Sequence, residues 1–146
     1  IIKHIPGHGL AKDDRHFSTP YINKSLQYLL KNDFKAFKNK NSFFAMTGHL
    51  ICNQIDKDNT VTHSRKMIDI IRKKVGFRNL LISDDLSMKS LKKGLKINTI
   101  DTFKAGCNLA LHCNGKLKEM EIVGKNSPLI SKFIIKKTSQ FYNILR

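Results

Sequence analysis

The chain opens with Ile1-Ile2-Lys3-His4-Ile5-Pro6-Gly7-His8-Gly9, a short apolar run that passes into a polar, glycine-rich segment. The two leading isoleucines are typical of the end of a buried strand. Pro6 stiffens the backbone that follows, and Gly7 and Gly9 allow a tight turn with unusual backbone angles. In α/β proteins the functional residues lie in loops of this kind, at strand ends. The stretch therefore predicts a strand followed by a functional loop.

The same pattern of an apolar run with a polar end recurs along the chain. We expect strands to end at His4, Gly48, Asp84 and His112, each followed by helical sequence. Strands that alternate with helices predict a parallel sheet, whose functional residues lie at the carboxyl ends of the strands. Four such units in 146 residues are about half of a (β/α)₈ barrel, which typically needs ~250 residues.

Helical periodicity fills the intervals between the predicted strands. The predicted helices are Lys24–Lys40 with a break near Asn32-Asp33, a helix capped by Ser64 and ended by Gly76, a short one around Lys89–Lys93, one from Asn98 or Thr99 to Gly106, and two near Lys116–Val123 and Pro128–Leu145. In the helix that ends at Gly106 we expect Ile100, Phe103 and Ala105 to face inward. A length of 146 residues suits one domain with a real core.

The net charge of +16 is the most unusual feature of the composition. A charge of this size would suit nucleic acid or an anionic surface. The lysines are spread over most of the chain and do not cluster with aromatic residues, so we favour a compositional bias over a nucleic-acid site. A basic nucleic-acid-binding module is kept as an alternative. No run approaches 18 consecutive apolar residues, so we expect no membrane span.

The chain starts without an initiator methionine, which predicts a cut through a longer protein.

Its three cysteines are Cys52, Cys107 and Cys113. An odd, irregularly spaced set argues against a disulfide framework and fits a reducing compartment. The six-residue separation of the last two does not match common zinc spacings. We therefore expect buried structural thiols.

Several histidines and one pair of aspartates have more than one interpretation from the residues alone. His4 and His8 are four apart, but the neighbouring glycines disfavour a helix, so we expect no metal there and no cofactor. His49 and His112, at strand ends, either line a pocket or bond backbone carbonyls, and we take His63 as a loop or cap residue. Successive strand residues point to opposite faces, so only one of Asp84 and Asp85 should face a pocket and the other should cap a helix.

Five motifs together resemble one family. They are Lys3-His4-Ile5-Pro6-Gly7-His8-Gly9 followed by Asp14 and His16, then Met46-Thr47-Gly48-His49, Thr62-His63-Ser64, Gly76-Phe77 with Ser83-Asp84-Asp85-Leu86-Ser87-Met88, and Ala105–Gly115. In this order and spacing they resemble the bacterial β-N-acetylhexosaminidases of glycoside hydrolase family 3. One such motif would be weak evidence, whereas five in register over nearly the whole chain are strong evidence.

The resemblance implies a (β/α)₈ TIM-type barrel of which residues 1–146 form the C-terminal half, the last four βα units. It implies a cytoplasmic retaining glycosidase that needs no metal. The expected substrate is a muropeptide or oligosaccharide with a terminal N-acetylglucosamine, met during peptidoglycan recycling. The chain would be completed by an N-terminal half that supplies further sugar-binding groups, or would self-associate through open sheet edges. The alternative is an inactive half-barrel remnant or split-gene product.

The resemblance also implies residue roles. Asp84 matches the nucleophile, His16 the general acid/base on a loop, and Asp14 the carboxylate paired with it, while Lys3 and His4 match residues that bind sugar hydroxyls. A retaining glycosidase needs a carboxylate beneath the anomeric carbon and a proton donor above the leaving oxygen. Histidine, with an unperturbed pKa near ~6.5, suits proton donation and then abstraction near neutrality.

Three positions depart from the family pattern. Gly48 stands where Ala is usual, Asn108 replaces an Asp near the expected barrel rim, and Arg15 stands where Ser is common. None of these departures removes a residue to which the resemblance gives a catalytic role.

Overall fold

A computed structural model describes residues 1–11 and 19–146 of the chain. Its strands are β1 (Ile2–Ile5), β2 (Tyr21–Ile22), β3 (Phe44–Thr47), β4 (Ile51–Cys52), β5 (Leu80–Asp85) and β6 (Leu109–Leu111). Its α-helices are α1 (Leu26–Lys31), α2 (Arg65–Ile70), α3 (Leu95–Ala105), α4 (Leu117–Lys125) and α5 (Lys132–Ile144). Two 3₁₀ turns, Phe34–Phe37 and Val61–His63, and a π turn, Ile71–Val75, complete the described elements.

The main sheet is parallel, with the strand order β1-β3-β5-β6. Ala45 of β3 lies opposite Ile2 of β1 and Leu81 of β5, and Ile82 lies opposite Leu109 of β6. The short strands β2 and β4 form a second parallel pair beside it. The prediction of a parallel α/β sheet is confirmed, with polar residues at its carboxyl ends. That this sheet is half of a (β/α)₈ barrel stays a prediction.

One face of the sheet packs on the helices and forms the core. Ala45 and Leu81 are buried there against Met67, Ile71 and Val75 of α2 and the π turn, each at most 1% exposed. Ser64 caps α2 as predicted, since its Oγ accepts a hydrogen bond of 3.1 Å from the backbone N–H of Met67.

The helix ends as predicted at Gly76, whose φ of +84° lies in the left-handed region that glycine adopts without strain. The predicted break near Asn32-Asp33 is also present, because α1 ends at Lys31 and a 3₁₀ turn starts at Phe34.

The other face of the sheet is less covered. Phe44, Met46 and Ile82 point away from the core and are only half-buried. Helix α5 contacts the start of β3, where the Phe141 ring lies 5.6 Å from the Phe43 ring and 5.2 Å from the Phe44 ring. Neither α4 nor α5 contributes a fully buried residue.

Two helix predictions were wrong in detail. Residues 89–93 form turns and irregular backbone, and α3 begins at Leu95, before Asn98. In α3 the buried side is mostly polar: it consists of Asn98, Thr99, Thr102 and Ala105, while Ile100 and Phe103 are half-buried. The two threonines can face the core because their hydroxyls donate to the carbonyls of Leu95 and Asn98, at 2.8 Å each.

The cysteines are free thiols, as expected, but only two of them are buried. Burial raises the pKa of Cys52 and of Cys107 to about 12, which makes both inert. Cys113 is exposed, so its predicted burial was wrong; it lies in the turn after β6, where its backbone N–H donates to Asp85. Among residues 1–11 and 19–146, no helix combines the length and the apolar character that crossing a membrane requires.

Asn108 lies directly before β6, at the amino end of the sheet. Its Oδ1 accepts from the Leu81 backbone N–H at 2.9 Å and from Arg72 Nη2 at 2.7 Å. Arg72 Nη1 also donates to the carbonyl of Asn79 at 2.6 Å. One amide oxygen thus joins the start of β5 to the π turn and to the start of β6.

We predict that Asn108→Ala lowers the free energy of unfolding by about 2 kcal/mol, because it leaves a partly buried guanidinium and a strand N–H without their acceptor. Asn108→Asp keeps the acceptor and adds charge opposite Arg72, so it should be at least as stable as the parent. Urea unfolding measures both. The control is Asn53→Ala at an exposed position; equal losses for the two alanine variants would contradict the prediction.

Candidate active site

The parallel strands bring their carboxyl ends to one edge, where β1 and β5 contribute facing side chains. His4 Nε2 of β1 lies 3.5 Å from Asp84 Oδ2 of β5, across the end of β3, which runs between them. Gly48, the residue after β3, makes room for this contact. A Cβ atom at Gly48 would lie 3.3 Å from the His4 Cβ and 3.2 Å from the His8 Cδ2.

Asp84 presents one carboxylate oxygen to this edge. Its Oδ1 accepts from the backbone N–H of Asp85 at 2.9 Å, while Oδ2 faces His4. The side chain is 19% exposed, so it is largely enclosed yet reachable from solvent. Burial lowers the pKa of His4, although the Asp84 charge acts in the opposite direction. The arrangement is a carboxylate on a rigid strand next to a neutral imidazole.

Asp85 points the other way and stabilises the turn that follows. Its Oδ1 accepts from the backbone N–H groups of Ser87 at 3.0 Å and of Cys113 at 3.1 Å. Burial acts to raise the pKa of Asp85, but the hydrogen bonds from Ser87 and Cys113 outweigh it and the pKa lies below its usual range. As predicted, one aspartate faces the pocket edge and its neighbour caps; the capped element is a turn and not a helix.

His49 lies buried beneath the Asp84–Asp85 strand end, 3% exposed. Its Nε2 is 3.0 Å from the backbone oxygen of Asp85, and its Nδ1 is 2.8 Å from Thr62 Oγ1. A carbonyl can only accept, so Nε2 carries the proton and Nδ1 accepts from the Thr62 hydroxyl. Thr62 Oγ1 in turn accepts from Thr47 Oγ1 at 2.9 Å. Of the two open interpretations of His49, the structure supports the bond to a backbone carbonyl.

The opening turn rests on a carboxyl group that the sequence analysis did not single out. Asp33 lies under Gly7 and Gly9: a Cβ at Gly7 would lie 2.3 Å from Asp33 Oδ2. Burial raises the pKa of Asp33, opposed by a hydrogen bond from the Gly9 backbone and by the nearby His8. The sequence signal was present in the predicted helix break at Asn32-Asp33, but nothing in it pointed to the turn.

The remaining predicted residues are placed as follows. Lys3 is exposed on β1, and the His8 ring lies 5.7 Å from the His4 ring. His112 is buried, 3.1 Å from Glu119 Oε2, although neither ring nitrogen makes a well-aligned hydrogen bond within the described residues. Asp14 and His16 lie outside the described residues.

No group of three or more His, Cys, Asp or Glu side chains suited to a metal ion occurs in the described ranges 1–11 and 19–146.

The fold is a parallel α/β sheet, and a carboxylate and a histidine face each other at its carboxyl edge, where such sheets hold their active sites. Comparison with known proteins identifies the family. Residues 1–137 match the model of the glycosyl hydrolase family 3 N terminal domain. The chain therefore belongs to glycosyl hydrolase family 3, as the five motifs indicated.

Individual relatives agree with this assignment. The Beta-hexosaminidase of Psychromonas ingrahamii is 30% identical over 148 residues, covering 97% of this chain and 42% of that protein. That of Haemophilus influenzae is 34% identical over 120 residues, covering 77% of this chain and 34% of the relative. The chain thus spans about two fifths of the length of the curated relatives that it matches.

Solved structures show the same fold. NagZ from Neisseria gonorrhoeae superposes with a TM-score of 0.79 at 27% identity, over 92% of this chain and 40% of that one. CbsA from Thermotoga neapolitana superposes with a TM-score of 0.79 at 26% identity, over 99% of this chain and 37% of that one.

His63, next to Thr62, should make the protein acid-sensitive. Burial lowers the pKa of His63 to about 4, well below the usual histidine value of ~6.5. A lowered histidine pKa means that the unfolded chain binds more protons, so this contribution is constant above about pH 7 and is lost as the pH falls towards 4. Between about pH 7 and about pH 5 the loss is about 2 kcal/mol.

We predict that the free energy of unfolding, measured with urea, falls by about 2 kcal/mol less between about pH 7 and about pH 5 in His63→Gln than in the parent protein. The NMR titration of the His63 ring in the parent protein provides an independent readout, with an expected midpoint near 4. A midpoint near the unperturbed histidine value of ~6.5 would contradict the prediction.

Proposed function

We propose that the protein to which this chain belongs is a retaining β-N-acetylhexosaminidase that removes terminal N-acetylglucosamine from peptidoglycan fragments. The observation that supports it most is Asp84: a carboxylate on a rigid strand end, with one oxygen held by a backbone N–H and the other facing an open edge. Relatives at 30–34% identity are named Beta-hexosaminidase. One crystal structure of NagZ from Neisseria gonorrhoeae holds N-trifluoroacetyl-D-glucosamine.

In the proposed reaction Asp84 is the nucleophile. Its Oδ2 attacks the anomeric carbon, the bond to the leaving oxygen breaks, and a covalent glycosyl-aspartate forms. Water then attacks the same carbon and releases Asp84 as a carboxylate, which gives net retention. The hydrogen bond from the Asp85 N–H to Oδ1 suits this role, because it orients the carboxylate and leaves Oδ2 free to react.

Proton transfer is assigned to His16, with Asp14 as its partner. This assignment follows from the sequence motif, since both residues lie outside the described ranges. His16 would protonate the leaving oxygen in the first step and take a proton from water in the second. Asp14, two residues away, would orient the imidazole and stabilise its cationic form.

Lys3 and His4 are assigned to substrate binding. Burial favours a neutral His4 imidazole, whose N–H can donate to a sugar hydroxyl or to Asp84. Lys3, on the same strand, is exposed and free of the core. His4 would meet the substrate from the β1 side of the site, opposite to the Asp85 turn, whereas the role of Lys3 follows from the sequence motif.

The half-covered sheet supports completion by a second half-barrel. Met46 and Ile82 face away from the core helices and are only half-buried, as barrel-interior residues would be if the other strands were absent. Phe44, on the same face, is partly covered by Phe141 of α5. We propose that an N-terminal half supplies those strands and further sugar-binding groups. We further propose a cytoplasmic location, no metal or cofactor and no nucleic-acid partner.

We predict that Asp84→Asn, made in the full protein that the gene encodes, lowers kcat for an aryl β-N-acetylglucosaminide by about 10³-fold or more, because the nucleophile is lost. The matched control is Asp85→Asn, which keeps an amide oxygen for the Ser87 and Cys113 N–H groups and should retain kcat within about tenfold. Full turnover by Asp84→Asn, or equal losses in both variants, would contradict the nucleophile assignment.

A second prediction separates the enzyme from an inactive remnant. The 146-residue chain alone should not hydrolyse the aryl glycoside, because the sugar-binding groups of the other half are absent, whereas the gene's full product should. The same aryl glycoside assay on both proteins measures this. If neither is active, the remnant interpretation holds, and a steep salt dependence of DNA binding would then support the nucleic-acid alternative.

A further inference from the structure

Asp33 places a half-buried carboxyl group against the turn that follows β1. The backbone N–H of Gly9 donates to this group, and a Cβ atom at Gly9 would lie 3.3 Å from Asp33 Oδ1. A Cβ atom at Gly7 would collide with Asp33 Oδ2, so a side chain at Gly7 would displace the carboxylate. One carboxylate therefore contacts both glycines of the turn.

The position of Asp33 is fixed from the side of the core. The residue that follows it is Phe34, which starts a 3₁₀ turn and is 1% exposed. Burial, and to a smaller extent the charge of Asp33, raises the pKa of the Cys52 thiol, so this buried residue of β4 lies near the carboxylate. Asp33 is thus anchored between the core and the turn.

Neither helix capping nor stability accounts for the Asp33 side chain. It makes no capping hydrogen bond to the 3₁₀ turn that it precedes. Its Oδ2 is buried without a hydrogen-bond partner in the described ranges 1–11 and 19–146, and burial raises the pKa of the group. A buried carboxylate oxygen that lacks a partner opposes folding. A side chain that is kept in spite of such a cost is typical of a functional site.

The turn above Asp33 connects the candidate active site to the residues assigned to proton transfer. The His8 ring, on this turn, lies 5.7 Å from the His4 ring. The turn closes at Ala11, whose backbone N–H donates to the His8 carbonyl at 3.1 Å, and Asp14 is three residues further on in the sequence. A displacement of the turn would therefore move His8 and change the direction in which the chain leaves Ala11.

We propose that Asp33 is a positioning residue: its carboxylate holds the turn of Gly7 and Gly9, and this turn sets where the segment with His16 begins. In this role Asp33 acts through the turn and does not itself contact the substrate. The part of the proposal that concerns proton transfer rests on the proposed function, whereas the part that concerns the turn rests on the contacts of Asp33.

The test compares three variants of the full protein that the gene encodes. Asp33→Ala removes the acceptor of the Gly9 N–H, whereas Asp33→Asn keeps an oxygen in its place. Asp56→Ala is the matched control, because Asp56 also holds a loop: it accepts from Ser64 Oγ at 2.6 Å and from the Asn59 N–H at 3.2 Å. NMR spectra check that each variant is folded, and Asp33→Ser serves if Asp33→Ala folds poorly.

Amide hydrogen exchange at Gly9 reports on the turn without any enzymatic activity. We expect this exchange to be about tenfold faster or more in Asp33→Ala than in the parent protein, because the acceptor of the N–H is lost. In Asp33→Asn and Asp56→Ala it should stay within about threefold of the parent rate. Equal exchange rates in the parent protein and in Asp33→Ala would overturn the proposal.

Hydrolysis of two substrates separates a positioning role from a purely structural one. A dinitrophenyl leaving group departs as a stable anion without a proton, whereas a phenyl leaving group needs the general acid. For Asp33→Ala we expect kcat/KM to fall about 100-fold with phenyl β-N-acetylglucosaminide, but less than about fivefold with the dinitrophenyl compound. Asp33→Asn should recover most of this loss, and Asp56→Ala should change both substrates by the same factor.

Equal losses for the two substrates in Asp33→Ala would overturn the positioning role, because a general loss of structure affects both substrates alike. A parent protein that hydrolyses neither substrate would refute the proposed function, and Gly9 exchange would still decide whether Asp33 holds the turn. An active enzyme in which Asp33→Ala leaves the ratio of the two substrates unchanged would refute the positioning role alone.

Discussion

Parallel pairing of β1, β3 and β5 is the constraint on which the site depends. It places all three carboxyl ends at one edge, and the curvature of the sheet brings the outer two side chains, His4 and Asp84, within 3.5 Å of each other. The contact passes over the end of β3 at Gly48, where a Cβ atom would lie 3.2 Å from the His8 Cδ2 and 3.3 Å from the His4 Cβ, so the packing around this residue is close. A change in register at any of these strands would move Asp84 away from β1.

The strand end is stabilised from below by a directed chain of hydrogen bonds. Thr47 donates to Thr62, Thr62 to His49, and His49 to the Asp85 carbonyl. Because the last acceptor is a carbonyl, Nε2 of His49 must carry the ring proton, and a protonated His49 would lose the bond in which Nδ1 accepts from Thr62. Burial, which lowers the pKa of His49, therefore keeps the chain intact near neutrality. The position of Asp84 thus depends on a neutral histidine that does not contact the proposed substrate.

The sequence predicted the parts of the fold that depend on local pattern. Strand ends, the Ser64 cap and the Gly76 stop were right, because apolar runs, a hydroxyl cap and a left-handed glycine act over a few residues. For α3 the sequence correctly predicted that Ala105 faces inward but wrongly preferred Ile100 and Phe103 to Thr99 and Thr102. These threonines satisfy their hydroxyls within the helix, whereas periodicity counts them as polar. Asp33 was missed for a different reason: its contact with the Gly7 turn joins residues far apart in the chain.

In the candidate active site, too, the sequence predicted what depends on local pattern and could not predict what depends on long-range contacts. Asp84 and Asp85 could be distinguished from sequence only as a pair, because alternation says that one faces inward without saying which. The structure decides through long-range partners: Cys113, at the end of β6, donates to Asp85, so Asp84 is left facing β1. The family resemblance reached the same assignment by comparison. The structure shows that Asp84 faces β1, which is compatible with the proposed nucleophile role, whereas the proposed role of His16 rests on its motif alone. This asymmetry makes the proposed nucleophile the residue to test first.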